Sequence, residues 1–185
     1  MRVISGVNRG TKLVAPPGLN TRPTDDRLKE NIFNLIGIVE KGTKVLDLFA
    51  GSGQIGIEFL SRGSTGCVFV DNNIKSVNCI KENIKKTRHV EQSIIMKSDV
   101  KNAISKLLGK KFDYIFLDPP YDNKKNLQEV FDIIHKSDII KDSTKIIIET
   151  VENFQIKNAN ILKERVYGKR KILIIGGSNE SDISR

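Results

Sequence analysis

A chain of 185 residues, 38% hydrophobic and 29% charged, has the composition of a soluble globular fold, and no apolar run approaches the ~18 residues of a membrane span. Its 31 lysines and arginines against 22 acidic residues give a net charge of +9, which suits a polyanionic partner, because basic side chains gain affinity by releasing counterions from phosphates. The two cysteines, Cys67 and Cys79, lie in apolar stretches without metal-ligand spacing. They read as buried reduced thiols, and with no leader-like stretch behind Met1 a cytoplasmic protein is expected, with no bound metal.

The chain opens with two short apolar stretches, 2–5 and 12–15, that read as strands and end at Pro16-Pro17-Gly18. Thr24 reads as the cap of a first helix with Asp25 and Asp26 in its first turn; Leu28, Ile32, Leu35, Ile36 and Val39 recur at helical spacing. Strand and helix then alternate. Strands are expected at 44–49, 67–70, 93–96, 112–117 and 145–149, with helical patterns after Gly56, Ile74, Asp99 and Leu127. Two last apolar segments, 161–165 and 171–175, read as an antiparallel pair around Tyr167-Gly168. This is an α/β pattern: a mostly parallel sheet with helices on both faces, one domain over 1–177, and a polar, flexible tail at 178–185. Positive charge gathers in two basic stretches that lie outside the acidic motifs. Residues 1–24 form a basic N-terminal arm with Arg2, Arg9, Lys12 and Arg22 and no acid, and 157–171 carries Lys157, Lys163, Arg165, Lys169, Arg170 and Lys171 against Glu164. The run from Lys81 to Arg88 reads as a solvated helix face, and His89 and His135 as surface or core histidines.

Ligands of such sheets bind at the carboxyl ends of the strands, where Asp47, Asp71, Asp99 and Asp118 all fall. Gly51, Gly53 and Gly56 match the dinucleotide fingerprint. A pyrophosphate would be poorly placed beside Asp47, four residues before the first glycine, whereas the sulfonium and ammonium of S-adenosylmethionine are favoured by carboxylates. Asp71 suits a ribose diol in either cofactor, and Asp99 suits an adenine amine or a helix cap. Asp118-Pro119-Pro120-Tyr121 is the most specific element. Its prolines remove backbone donors and stiffen the turn, leaving outward carbonyls to accept from an amine. A side-chain oxygen and a carbonyl fixed in advance stabilise the charge that grows on an amine attacking a methyl sulfonium, and Tyr121 can stack on a base.

With these motifs the sequence resembles the class I methyltransferases and, more closely, the RsmD-type family of bacterial 16S rRNA guanine-N2 methyltransferases. The resemblance runs through Arg2-Val-Ile-Ser-Gly6, Arg9-Gly10, Thr21-Arg-Pro-Thr-Asp-Asp-Arg-Leu-Lys-Glu30, Phe33-Asn34, the glycine loop, Asp118-Pro-Pro-Tyr121 and Tyr167-Gly168. It implies a Rossmann-like seven-stranded sheet with an antiparallel C-terminal hairpin. It also implies S-adenosylmethionine as cofactor, with Asp47, Phe49, Gly51 and Gly53 at its methionine end, Asp71 and Asn72 at the ribose and Asp99 at the adenine. Asp118, Pro119, Pro120 and Tyr121 would hold the guanine amine, and Arg22, Thr24 and Arg27 would guide ribosomal RNA in an assembling small subunit, the enzyme acting as a monomer. Asn72 and Asn73 depart from the charge common among relatives. Three rivals share parts of the pattern: an adenine-N6 DNA methyltransferase, an NAD-dependent oxidoreductase and a non-catalytic RNA-binding module. The first lacks room for a target-recognition domain, the second an evident catalytic domain.

Overall fold

The apolar runs form strands β1 (Lys44–Leu48), β2 (Gly66–Asp71), β3 (Ser93–Lys97), β4 (Tyr114–Leu117), β5 (Lys145–Val151), β6 (Ile161–Tyr167) and β7 (Arg170–Gly176). The amphipathic stretches form α1 (Pro23–Ile36), α2 (Gln54–Ser61), α3 (Ile74–Thr87), α4 (Val100–Lys106) and α5 (Leu127–Lys136). The computed structural model describes residues 1–16, 23–119 and 126–177; the predicted tail at 178–185 lies outside them. All strands join one seven-stranded sheet in the order β3-β2-β1-β4-β5-β7-β6. Its first five members run parallel, and β7 pairs antiparallel with both β5 and β6, which is the expected hairpin. The order reverses between β1 and β4, the switch point at which such sheets open a crevice.

The pleat divides the core. Val45, Phe69, Tyr114, Phe116, Ile147 and Ile172 face α1, α2 and α3, while Leu46, Val68, Ile115, Ile148 and Leu173 face α4 and α5. On the first face Phe33 of α1 meets Phe59 of α2 edge-on at 4.8 Å, and Phe59 lies 4.9 Å from Tyr114. These contacts stack α1 on α2 over the amino end of β4. Both cysteines are free and buried. Among the described residues no helix is long and apolar enough to cross a membrane.

Several boundaries differ from expectation for local reasons. The helix α1 already includes Pro23, so Thr24 lies in its first turn and not at its cap; proline suits that position because its missing N–H has no partner there. It ends at Ile36 because Gly37 turns left-handed, at φ 84°, so Val39 packs from a loop. Phe112 lies outside β4, its amide donating to the Ile139 carbonyl.

The two N-terminal strands reduce to one antiparallel bridge between Arg2 and Lys12. Their backbone groups bond elsewhere. The Ile4 and Ser5 amides donate to Glu58, the Asn8 amide donates to Ser61 Oγ, and Asn83 accepts from the Val14 amide while donating to its carbonyl. The start of the basic arm is thus docked on α2 and α3, with Arg2, Arg9 and Lys12 left exposed. His89 is buried and belongs to the same seam, its ring nitrogens 2.5 Å from Gln92 Oε1 and 2.6 Å from Asn8 Oδ1.

Candidate active site

A cleft of about 550 Å³ opens at the carboxyl ends of β1, β2 and β4. Phe49 and Gly51 line it from the glycine loop, Asp71 and Asn72 from the end of β2, Asp99 from the start of α4, and Asp118 and Pro119 from the end of β4. The structure therefore gathers these seven of the residues that the sequence marked, from four separate stretches of chain.

Two carboxylates hold the glycine loop. The helix α2 has Gly53 as its N-cap, which offers no side-chain acceptor for the unpaired amides of the first turn. Asp47 supplies one from the neighbouring strand: its Oδ2 accepts from the Gly56 amide at 2.9 Å. Asp71 Oδ2 accepts from the Gly51 amide at 2.8 Å, and its Oδ1 accepts from the Asn73 amide at 2.8 Å. The loop is thus tied to β1 and β2 whether or not a ligand is present. Phe49 adopts a left-handed backbone, φ 61°, uncommon for a residue with a side chain and often found where a site is strained.

The glycines divide their roles. A β-carbon on Gly51 would meet only the Phe49 carbonyl oxygen, at 4.0 Å, so its face is open space. One on Gly56 would lie 2.3 Å from the Phe69 ring and 2.6 Å from Cys67 Sγ. Gly56 therefore lets α2 press against β2. Gly53 is buried on Ile80 and Phe69.

Asp47 and Gly53 do not line the cleft. Asp47 is 1% exposed and points into the face covered by α2. Burial pushes its carboxyl up to about 7, against the hydrogen bond from Gly56, with the charge of Asp71 adding to the rise. A carboxyl raised in the folded state binds a proton that the unfolded chain has already released. Its contribution to stability is therefore full below about pH 4 and is lost as pH rises to about 7. The ligand-free protein should lose on the order of 2 kcal/mol from this group between pH 5 and 8, and Asp47→Asn should flatten that slope while keeping an acceptor for Gly56. Urea unfolding of both proteins across this range checks it; parallel slopes would show that Asp47 is ionised throughout.

Asp99 caps α4, accepting from the Asn102 amide at 2.9 Å, and that bond holds its exposed carboxyl below the ordinary value. Its Oδ2 accepts from Asn102 Nδ2 at 2.5 Å, and the residue lines the cleft. Asp118 is exposed at the end of β4. Pro120 and Tyr121 lie outside the described residues, as do the Arg22 residue and the side chain of Thr24. Arg27 is exposed and lines neither this cleft nor the cavity described next; with Arg2, Arg9, Asp26 and Glu30 it borders a hollow between the arm and α1.

A second, smaller cavity of about 160 Å³ adjoins the cleft on the α1 side, lined by Leu28, Lys29, Ile32, Gln54, Ile55, Asp118, Glu149 and Arg170. Asp118 is the described residue common to both spaces. Glu149 is buried and its Oε1 accepts from Arg170 Nη1 at 2.7 Å. Sequence reasoning passed over Gln54, Glu149 and Arg170. A strand-end acid two positions past Ile147 was a usable signal, but its arginine is distant in sequence.

The cleft fits S-adenosylmethionine by the chemistry of its lining. Asp71, Asp99 and Asp118 face it, and the one cation among the described lining residues, Lys101, is paired with Glu129. Such a surface favours a sulfonium and an ammonium and opposes a pyrophosphate. The preference that sequence reasoning drew from Asp47 thus rests on the other three carboxylates.

Residues 1–176 match the family described as conserved hypothetical protein 95. The YlbH protein of Bacillus subtilis is 40% identical over 151 residues, covering 80% of this chain and 82% of that protein. The ribosomal RNA small subunit methyltransferase D of Haemophilus influenzae is 30% identical over 173 residues, covering 91% and 89%. Among solved structures, yhhF from Escherichia coli superposes with a TM-score of 0.82 at 27% identity, covering 95% of this chain and 97% of that one. The chain therefore belongs to the conserved hypothetical protein 95 family, and it is a class I S-adenosylmethionine-dependent methyltransferase related to the RsmD-type enzymes.

Proposed function

We propose that this enzyme methylates the exocyclic N2 amine of a guanine in 16S rRNA of the small ribosomal subunit, with residues 1–177 as one catalytic unit. The meeting of the cofactor cleft and the α1-side cavity at Asp118 carries this reading, since it gives methyl donor and base separate seats that share one acceptor. The name of the Haemophilus influenzae relative, ribosomal RNA small subunit methyltransferase D, supports the substrate class. The exposed Arg2, Arg9 and Lys12 on the docked arm add a basic surface for phosphates.

The chemistry that bound S-adenosylmethionine supplies is an electrophilic methyl group. The chain orients and stabilises. Asp71 and Asp99 are assigned to the ribose and adenine, Phe49, Gly51 and Asn72 to the remainder of the cofactor surface, and Asp47 and Gly53 to the shape of the loop beneath it. Asp118 accepts from the amine and stabilises the positive charge that grows on it. The proton leaves easily from a methylated, cationic nitrogen, so no strong general base is required. Tyr121 is assigned to stacking on the base. A guanine in a loop or an unfolded stretch is the easier target, because it need not leave a duplex. We assign the reaction to the cytoplasm, to a monomer, and to an assembling particle.

Asp71→Ala should weaken S-adenosylmethionine binding about tenfold or more, because the ribose loses an acceptor and the Gly51 amide its anchor. Calorimetric titration reads it; unchanged affinity would remove Asp71 from the site. The substrate is tested by transfer of labelled methyl to rRNA and partly assembled small subunits from cells lacking this gene, followed by nucleoside analysis. N2-methylguanosine is expected. Methylated adenine in DNA, with no RNA product, would overturn the substrate and leave the fold and cofactor standing.

A further inference from the structure

The cavity beside Asp118 carries polar groups in an order that matches one base edge. The strands β4, β5 and β7 are consecutive neighbours in the sheet. Leu117 and Ile148 are register partners, so the next residues, Asp118 and Glu149, stand side by side at the carboxyl ends of β4 and β5. Arg170 begins β7 and donates to Glu149. All three line the cavity. Across the sheet the order is thus acceptor, acceptor, donor. Facing them from the first turn of α2 is Gln54, whose Oε1 is buried and meets no hydrogen-bond donor among the described residues. A buried amide oxygen without a partner is an unmet demand for a donor.

Guanine presents its Watson–Crick edge as the N2 amine, then N1–H, then the O6 acceptor. Adenine held by its N6 amine presents N1, an acceptor, at the next position. An acceptor at Glu149 is complementary to the first and repels the second. Leu28, Ile32 and Ile55 also line the cavity, whose exposed surface is mostly polar, and a space of this size takes one flat ring system.

We infer that Glu149 and Arg170 are the specificity-determining residues that select guanine, with Gln54 holding its amine. With one N2–H at Asp118, Glu149 accepts from N1–H, Arg170 donates to O6, and Gln54 Oε1 accepts from the second N2–H. The Arg170 ion pair holds the Glu149 carboxylate in place at the end of β5. This inference rests on the proposed guanine-N2 reaction and names the groups that read the base.

The test uses small subunits reconstituted with 16S rRNA carrying either guanine or 2-aminopurine at the position the wild-type enzyme methylates. 2-Aminopurine keeps the amine and lacks N1–H and O6. Wild-type protein should prefer guanine about a hundredfold in kcat/KM. Glu149→Leu and Arg170→Met should each reduce that preference to below about tenfold, both binding S-adenosylmethionine as wild type does. A structural role would slow both substrates alike and leave the ratio unchanged. A preserved hundredfold preference in both the Glu149 and Arg170 variants, or a wild-type enzyme indifferent to the two bases, would overturn the inference while N2-methylguanosine formation stood. Wild-type protein that forms no N2-methylguanosine would overturn the functional reading itself.

Discussion

Replacing Asp118 with alanine should lower kcat about 10²–10³-fold and change the S-adenosylmethionine dissociation constant by less than about threefold. The argument is positional. Asp118 stands where the cofactor cleft and the smaller cavity meet, at the end of β4 beside the switch point of the sheet. Pro119 behind it is buried and cannot donate from its backbone. The attacking amine gains positive charge only as the carbon–nitrogen bond forms. An acceptor fixed beside it therefore acts on the transition state more than on the bound cofactor. Asp118→Asn retains an oxygen acceptor and should stay within about tenfold of wild type. Single-turnover transfer and calorimetric titration of each variant separate the two effects. Equal losses of turnover and of cofactor affinity in the alanine variant would mean that Asp118 supports the fold of the cleft and not the reaction.

The second large effect concerns stability. Glu58→Ala should destabilise the protein by about 3–5 kcal/mol, a fall in Tm of roughly 10–15 °C for a chain of this size. Glu58 is fully buried. Its Oε2 accepts from the Ile4 amide at 2.8 Å, and its Oε1 accepts from the Ser5 amide and from Arg62 Nε, both at 2.9 Å. Lys29, also buried, lies 3.7 Å from Oε2 and donates to the Arg2 carbonyl. Burial pulls the Lys29 amine below its ordinary value, and the Glu58 charge draws it back up. Removing the carboxylate strands a lysine and two backbone amides inside the protein, and the arm loses its attachment to α2. Hydrogen exchange at Ile4 and Ser5 should accelerate with it. Replacing both partners, Glu58→Leu with Lys29→Met, should cost less than the sum of the single changes, because neither charge is then left alone. Scanning calorimetry of the single variant decides the matter; a Tm within about 3 °C of wild type would show the arm to be held by other contacts.

The arm also marks where local pattern stops being informative. Its apolar dipeptides promised two strands, and the residues around them were right for that. The backbone groups instead bond to Glu58, Ser61 and Asn83, partners 53 to 69 residues away. Within α2, Glu58 stands amid Ile57, Phe59 and Leu60, and a single acid in an apolar run is a visible signal. Its partners were not visible, because they arrive from a different segment.

By itself the sequence determined the succession of strands and helices and the motifs on the loops between them. Both follow from interactions within a few residues: the apolar period, Asp99 as a cap, the glycines at the turn. It also placed Asp71, Asp99 and Asp118 at one edge, because parallel strands bring their carboxyl ends together. Tertiary structure alone decided which way each strand-end side chain points. Asp47 and Asp118 belong to adjacent paired strands and look alike in sequence, yet Asp47 is buried beneath α2 on the Gly56 amide while Asp118 opens on two cavities. The difference comes from the pleat and from the helix stacked over it. The same is true of the Glu149–Arg170 pair and of Gln54 opposite, which become a site only when β5, β7 and α2 close around one space. Such contacts depend on the packing of elements distant in the chain, which no local window of residues contains.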